Sequence, residues 1–177
     1  MQTVDLSLAE QEKLQSLQDT LLLKMLAYDQ GDAKRIQHLV KVWQFAALIG
    51  RQEKLPAATQ LTLEAAAILH DIGIHLAEQK HQSAAGKYQE QEGPAPANTL
   101  MQELGYPEPF RTRACYLIAH HHTYQAVDGL DYQILLEADF LVNAYEDGLS
   151  PQAIAHFEEK VFRTQTGKQL LRLLYQQ

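Results

Sequence analysis

Cysteine is almost absent from this sequence: among 177 residues there is one, Cys115. That excludes an internal disulfide, a CxxC zinc ribbon and a thioredoxin-like centre. It fits a reducing compartment, so a cytoplasmic location is expected. Positive charge is also scarce, with 15 Lys and Arg against 22 Asp and Glu and a formal net charge of −7. A surface of that sign does not grip a nucleic-acid polymer or an anionic membrane irrespective of sequence. A small phosphorylated ligand stays open, because a local cation or metal overrides net charge. No basic segment followed by an apolar stretch opens the chain, so no secretory leader is expected. The longest weakly polar run, Leu61 to Leu69, is interrupted by Thr62 and Glu64 and is far too short to span a bilayer. Internal repeats, low-complexity tracts and strand-period alternation are missing too.

What remains is ordinary globular material, 46% hydrophobic and 21% charged, of a length suited to one domain. Helical periodicity runs almost throughout and predicts an all-α domain. Ser7-Leu8-Ala9-Glu10 has capping-box spacing and opens a helix to about Tyr28, which Gly31 stops. Asp32 can cap a second helix to about Gln52, with Ile36, Leu39, Val40, Trp43 and Ala47 on its apolar face. A third spans about Ala57 to Asp71, with Gly73 as a left-handed terminating residue. Ile74 to Gly93 reads as a long functional loop. Further helices are expected from Pro94 to about Leu104, and from Glu108 or Pro109 to about His122. Another starts at Asp131, with Ile134, Leu135, Ala138, Leu141, Val142 and Tyr145 on its apolar side. Ser150-Pro151 caps the next, and Thr166-Gly167-Lys168-Gln169 has the spacing of a last capping box.

Histidine is the enriched chemistry: seven of the eight lie between His38 and His122. Burying polar groups costs free energy unless something binds them, so the informative residues are those that helical phase turns toward the core. Asp139 shares a face with Leu135 and Val142, and there it needs a cation, a metal or several donors; Arg35 and Arg113 are candidate partners. His38 borders an apolar stripe, His70 and Asp71 end a helix, and His121 and His122 follow Leu117 and Ile118 by four. Imidazole and carboxylate without thiolate suit Zn, Mn, Fe, Ni or Co, and helical domains build metal sites from several helices. A backbone-bonded core histidine is the competing reading at each position taken alone.

Taken in order, His38, then His70-Asp71 within His70-Asp71-Ile72-Gly73, then His121 and Asp139 resemble the HD superfamily of metal-dependent phosphohydrolases. The likeness runs from about Arg35 to Tyr145, and Ala67 to Gly73, ending in the HDIG tetrapeptide, is its most specific piece. It implies an HD-type helical bundle of about seven to eight helices forming one domain. Its core would lie near 33–147, with flanking segments 1–30 and 150–177 completing the bundle or making a homodimer face. It also implies His38, His70, Asp71 and Asp139 as ligands of a divalent transition metal, one ion or two, with His121 and His122 as further ligands. Glu92 stands where two-metal relatives carry a histidine and would ligate or bridge the metals there as a carboxylate, and Ile74 stands where a lysine usually follows the HDIG motif. Asp71 would have a double role as ligand and base, and His75 and Lys80 would meet the substrate from the loop beside it. The implied reaction is hydrolysis of a phosphoric ester or anhydride in a nucleotide or other small phosphorylated compound. The long GYP-containing segment of the cyclic-dinucleotide branch is absent, since only Thr123-Tyr124-Gln125 follows His122. Di-iron oxygenation and a non-catalytic sensing module are the other functions this fold carries.

Overall fold

In the computed structural model, residues 7–175 are described, and all their regular structure is α-helical. The chain runs through α1 (Leu8–Tyr28), α2 (Ala33–Gln52), α3 (Ala57–Leu69), α4 (Ile74–His81), α5 (Gly86–Glu92), α6 (Pro94–Glu103), α7 (Glu108–Ile118), α8 (Leu130–Glu146), α9 (Pro151–Val161) and α10 (Gln165–Tyr175). Ten segments stand where seven or eight were expected, because the stretch read as a loop holds α4 and α5. Both are short and polar, with little apolar periodicity, and such helices hold through docking rather than intrinsic propensity. The left-handed Gln82 (φ 53°) separates them.

α3 is the central element. Every residue from Gln60 to Leu69 is buried, because α1, α2, α7 and α8 all pack on it. α8 is buried without interruption from Asp131 to Val142 and lies against α2 and α3. A fully buried Leu or Ile contributes roughly 1.5–3 kcal/mol, so Leu63, Ile68 and Leu69, all 0% exposed, anchor the bundle. The flanking helices join the same core: Leu14, Leu21 and Met25 of α1 and Leu171 of α10 belong to it.

α2 contacts both α3 and α8, and its buried stripe runs through Leu39, Val42, Ala46 and Ile49. Ile36, Val40 and Trp43 are only half-buried, so the face lies to one side of the one expected. The Ser7 box, the Asp32 cap and the Ser150 cap form as expected. The last helix is capped by Thr164, whose Oγ1 accepts from the Gly167 amide at 2.9 Å, while the Thr166 amide donates to Glu53. Tyr145 is 76% exposed rather than apolar-facing, since helical phase does not fix how far the neighbouring helices reach.

Gly73 is not left-handed either; its φ is −74°. It is glycine for space. A Cβ there would lie 2.7 Å from both the Gln89 carbonyl oxygen and the Gly93 nitrogen. This contact seats the α5–α6 junction on the turn after α3. Gly73→Ala must force those backbones apart, and overpacking of this kind costs about 1–3 kcal/mol. Urea unfolding is expected to show that loss as a lower midpoint with unchanged slope.

Candidate metal centre

Five elements bring the site together. α2 carries His38, the turn after α3 carries His70 and Asp71, α5 carries Gln89, the turn after α7 carries His121 and His122, and α8 carries Asp139 and Glu146. His38 Nε2 lies 3.1 Å from His70 Nε2, 3.3 Å from Asp139 Oδ1 and 3.5 Å from Asp71 Oδ2. His70 Nε2 lies 3.5 Å from Asp71 Oδ2 and 3.6 Å from Asp139 Oδ1. The other Asp71 oxygen lies 3.6 Å from His121 Nε2. Gln89 Oε1 lies 3.3 Å from His121 Nε2 and 3.1 Å from His122 Nε2. Two groups of candidate ligands follow, His38–His70–Asp71 and Asp71–His121–His122, and Asp71 belongs to both.

Hydrogen bonding on the far side of each ring decides what these atoms offer. The Nδ1–H of His70 donates to the Ala67 carbonyl at 2.8 Å, and that of His121 to the Ile118 carbonyl at 2.7 Å. His38 Nδ1–H donates to Glu146 Oε2 at 3.0 Å. In each neutral ring the proton is therefore on Nδ1, and Nε2 presents a lone pair. Imidazole Nε2 atoms and carboxylate oxygens converge on one another, an arrangement that a cation satisfies. Rings held from behind by carbonyl or carboxylate are also how proteins orient metal-bound histidines. The donor set, all nitrogen and oxygen, thus fits a divalent transition metal.

The charges agree. Burial pushes His38 down, but its hydrogen bond to Asp139 and the charges of Asp71 and Asp139, with Glu146 behind, outweigh this and lift it to about 9. Without an ion, a proton on His38 takes the cation's place. Burial pushes His70 down. Burial would raise Asp71, yet His70, His121 and His38 hold it well below the usual carboxylate range. His122 is pushed down to about 4 by burial and by His121, and stays neutral.

Three expected site residues stand apart from these groups. Glu92 is turned away, its oxygens taken by Lys80 Nζ (2.6 Å) and His81 Nε2 (2.9 Å). Lys80 is thereby paired at the end of α4, outside the cavity described below. His75 donates from Nε2 to buried Asp29 at 2.8 Å and accepts at Nδ1 from Arg35 at 3.1 Å. Neither candidate arginine pairs with Asp139: Arg113 binds Asp128 and Asp131, and Arg35 binds Asp32 and Glu78. Two residues enter that the sequence reading did not single out. Glu146 lies two turns after Asp139 on the same face, a spacing that was available to find it. Gln89 lies in α5 and was hidden by the loop reading.

A cavity of about 740 Å³ opens over His38, Asp71, Gln89 and His122. Lys34 and Arg35, from the first turn of α2, and the aromatic residues Tyr124, Phe140 and Phe157 also line it. No helix among the described residues is long and apolar enough to cross a membrane.

A helical bundle that gathers histidine and aspartate from separate helices into groups able to hold a cation defines a class of all-α proteins with a candidate metal centre. The HD domain family model matches residues 35–153, more than half of the chain, and the chain belongs to that family. Two solved structures share the fold over 92% of this chain. One is a predicted HD superfamily hydrolase from an uncultured Thermotogales bacterium, at 22% identity, TM-score 0.62 and 84% coverage of that chain. The other is an HD-superfamily hydrolase from Bacillus thuringiensis, at 18% identity, TM-score 0.61 and 90% coverage. No curated protein matches the chain.

Proposed function

We propose that this chain is a metal-dependent phosphohydrolase acting on a small phosphorylated compound, a nucleotide in particular. The observation that carries this reading is the convergence of imidazole Nε2 atoms and carboxylates at a cavity that also holds cationic side chains. His38, His70, Asp71 and Asp139 would hold the ion, and Asp71, His121 and His122 a second one. When bound, a divalent metal polarises a phosphoryl oxygen, lowers the pKa of water and offsets charge on the leaving group.

The chain's own residues do the rest. Asp71 borders the cavity, so its carboxylate can orient a water molecule there and serve as the base. Arg35 offers the fork of donors that matches phosphate oxygens. Asp32, Glu78 and His75 fix its position, and His75 acts through this support rather than on the substrate. Lys34 lines the same cavity and has no ion-pair partner among the described residues. Asp32, Asp71, Glu146 and Asp147 make the lining acidic overall, so an anionic substrate depends on the metal for entry.

Phosphate release from a panel of nucleotides and phosphomonoesters, with Mn, Fe, Co, Ni or Zn added singly, tests the reading. Release that needs the metal and stops with chelator is expected. No release with any metal and substrate pair contradicts it.

A further inference from the structure

A phosphoryl group needs charge around it, yet part of this cavity is neither charged nor polar. Tyr124, two residues beyond His122, is 41% exposed, and its ring meets Phe157 edge-on at 5.1 Å and 89°. Phe157 in turn stacks on Phe140 at 3.6 Å with an interplanar angle of 4°. Fully buried Phe162 contacts both, at 5.8 Å from Phe140 and 6.3 Å from Phe157. The patch is therefore rigidly backed, and it adjoins the metal ligands directly: Phe140 follows Asp139 on α8. Asn143, one turn further along, lines the same cavity with an amide that has no hydrogen-bond partner among the described residues.

Resting on the phosphohydrolase reading, we propose that the face of Tyr124, braced by Phe157 and Phe140, is a subsite for a planar aromatic ring of the substrate, with Asn143 bonding the ring's edge. The substrate is then a nucleoside phosphate rather than a sugar phosphate. Three physical points support this. At about 740 Å³ the cavity falls in the range of sites that enclose whole small molecules, roughly 300–1,000 Å³, rather than a lone phosphate. A partly exposed tyrosine whose ring is held against Phe157 gives a flat surface at low entropic cost, and every base has a face to lay on it. A free carboxamide offers one acceptor and two donors, the pattern that reads a heterocycle's polar edge.

Adenosine and ribose are the probes, because neither has a phosphate to lose. Ligand-observed NMR titration of the Mn²⁺-loaded full chain is expected to show adenosine binding at least about 10-fold more tightly than ribose, which is ~1.4 kcal/mol and within the lower range for one stacked base. Tyr124→Leu is expected to narrow that ratio to within about 3-fold, and Tyr124→Phe to preserve it. Equal binding of both probes by the wild type, or an unchanged ratio in Tyr124→Leu, overturns the proposal. The two readings fail separately. Tyr124-dependent adenosine binding without phosphate release from any ester upholds the subsite and removes the hydrolase. Metal-dependent release with no preference for adenosine does the reverse.

Discussion

Asp71→Ala is expected to empty the site of metal and to lower kcat/KM for phosphate release by at least about 10³-fold. Its carboxylate alone belongs to both ligand groups, one oxygen facing His38 and His70 and the other facing His121. Removing it leaves the imidazoles of His38, His70, His121 and His122 with Asp139 as the remaining carboxylate among them. A metal supplies several kcal/mol of transition-state stabilisation. At 1.36 kcal/mol per tenfold in rate, loss of about 4 kcal/mol gives that factor. The same substitution deletes the proposed base, so added metal is not expected to restore turnover. Glu92→Gln makes the contrast, because that carboxylate is committed to Lys80 and His81. Metal content measured on both variants, beside steady-state rates, checks the expectation. Wild-type turnover by Asp71→Ala would remove the mechanism.

Apparent metal affinity is expected to rise about tenfold for each pH unit between roughly 7 and 9 and then to level. In the metal-free protein a proton occupies His38, whose pKa is lifted to about 9 against the penalty of burial by Asp139, Asp71 and Glu146. The metal can take that Nε2 lone pair only after the proton leaves. Stability of the metal-free protein runs the other way. A histidine whose folded pKa exceeds its unfolded value of 6.5 contributes stability that is complete below pH 6.5 and lost as pH rises through about 9. The two values correspond to on the order of 3 kcal/mol. Chelated protein is therefore expected to melt at progressively lower temperature from pH 7 to 9.5, while metal-loaded protein holds its Tm. Competition titrations against a chelator and calorimetric melts at matched pH read both trends. A pH-independent affinity over this range would show that His38 carries no proton for the metal to displace.

The parts of this architecture that sequence made legible are those where burial and periodicity coincide. Asp139 stood out because it shares a face with Leu135 and Val142, where a lone carboxylate is costly; the structure surrounds it with His38 and His70. His70 and Asp71 were readable because the apolar α3 runs straight into them. The stretch from Ile74 to Gly93 was not, since α4 and α5 are short and polar and owe their form to docking. With them went Gln89, which faces His121 and His122, and the pairing that turns Glu92 away. Gly73 looked like a helix terminator and instead leaves room for the Gln89 carbonyl and Gly93, a long-range approach that no local pattern encodes. Tyr124 lies in an irregular segment, where periodicity places no side chain, and only the fold sets it on Phe157.

Elemental analysis of the purified, untagged protein and of its Asp71→Ala variant tests the central claim most directly. At least one divalent transition metal per wild-type chain, and loss of it in the variant, is the result the ligand geometry predicts. A metal-free wild type that takes up none of Mn, Fe, Co, Ni or Zn would contradict it.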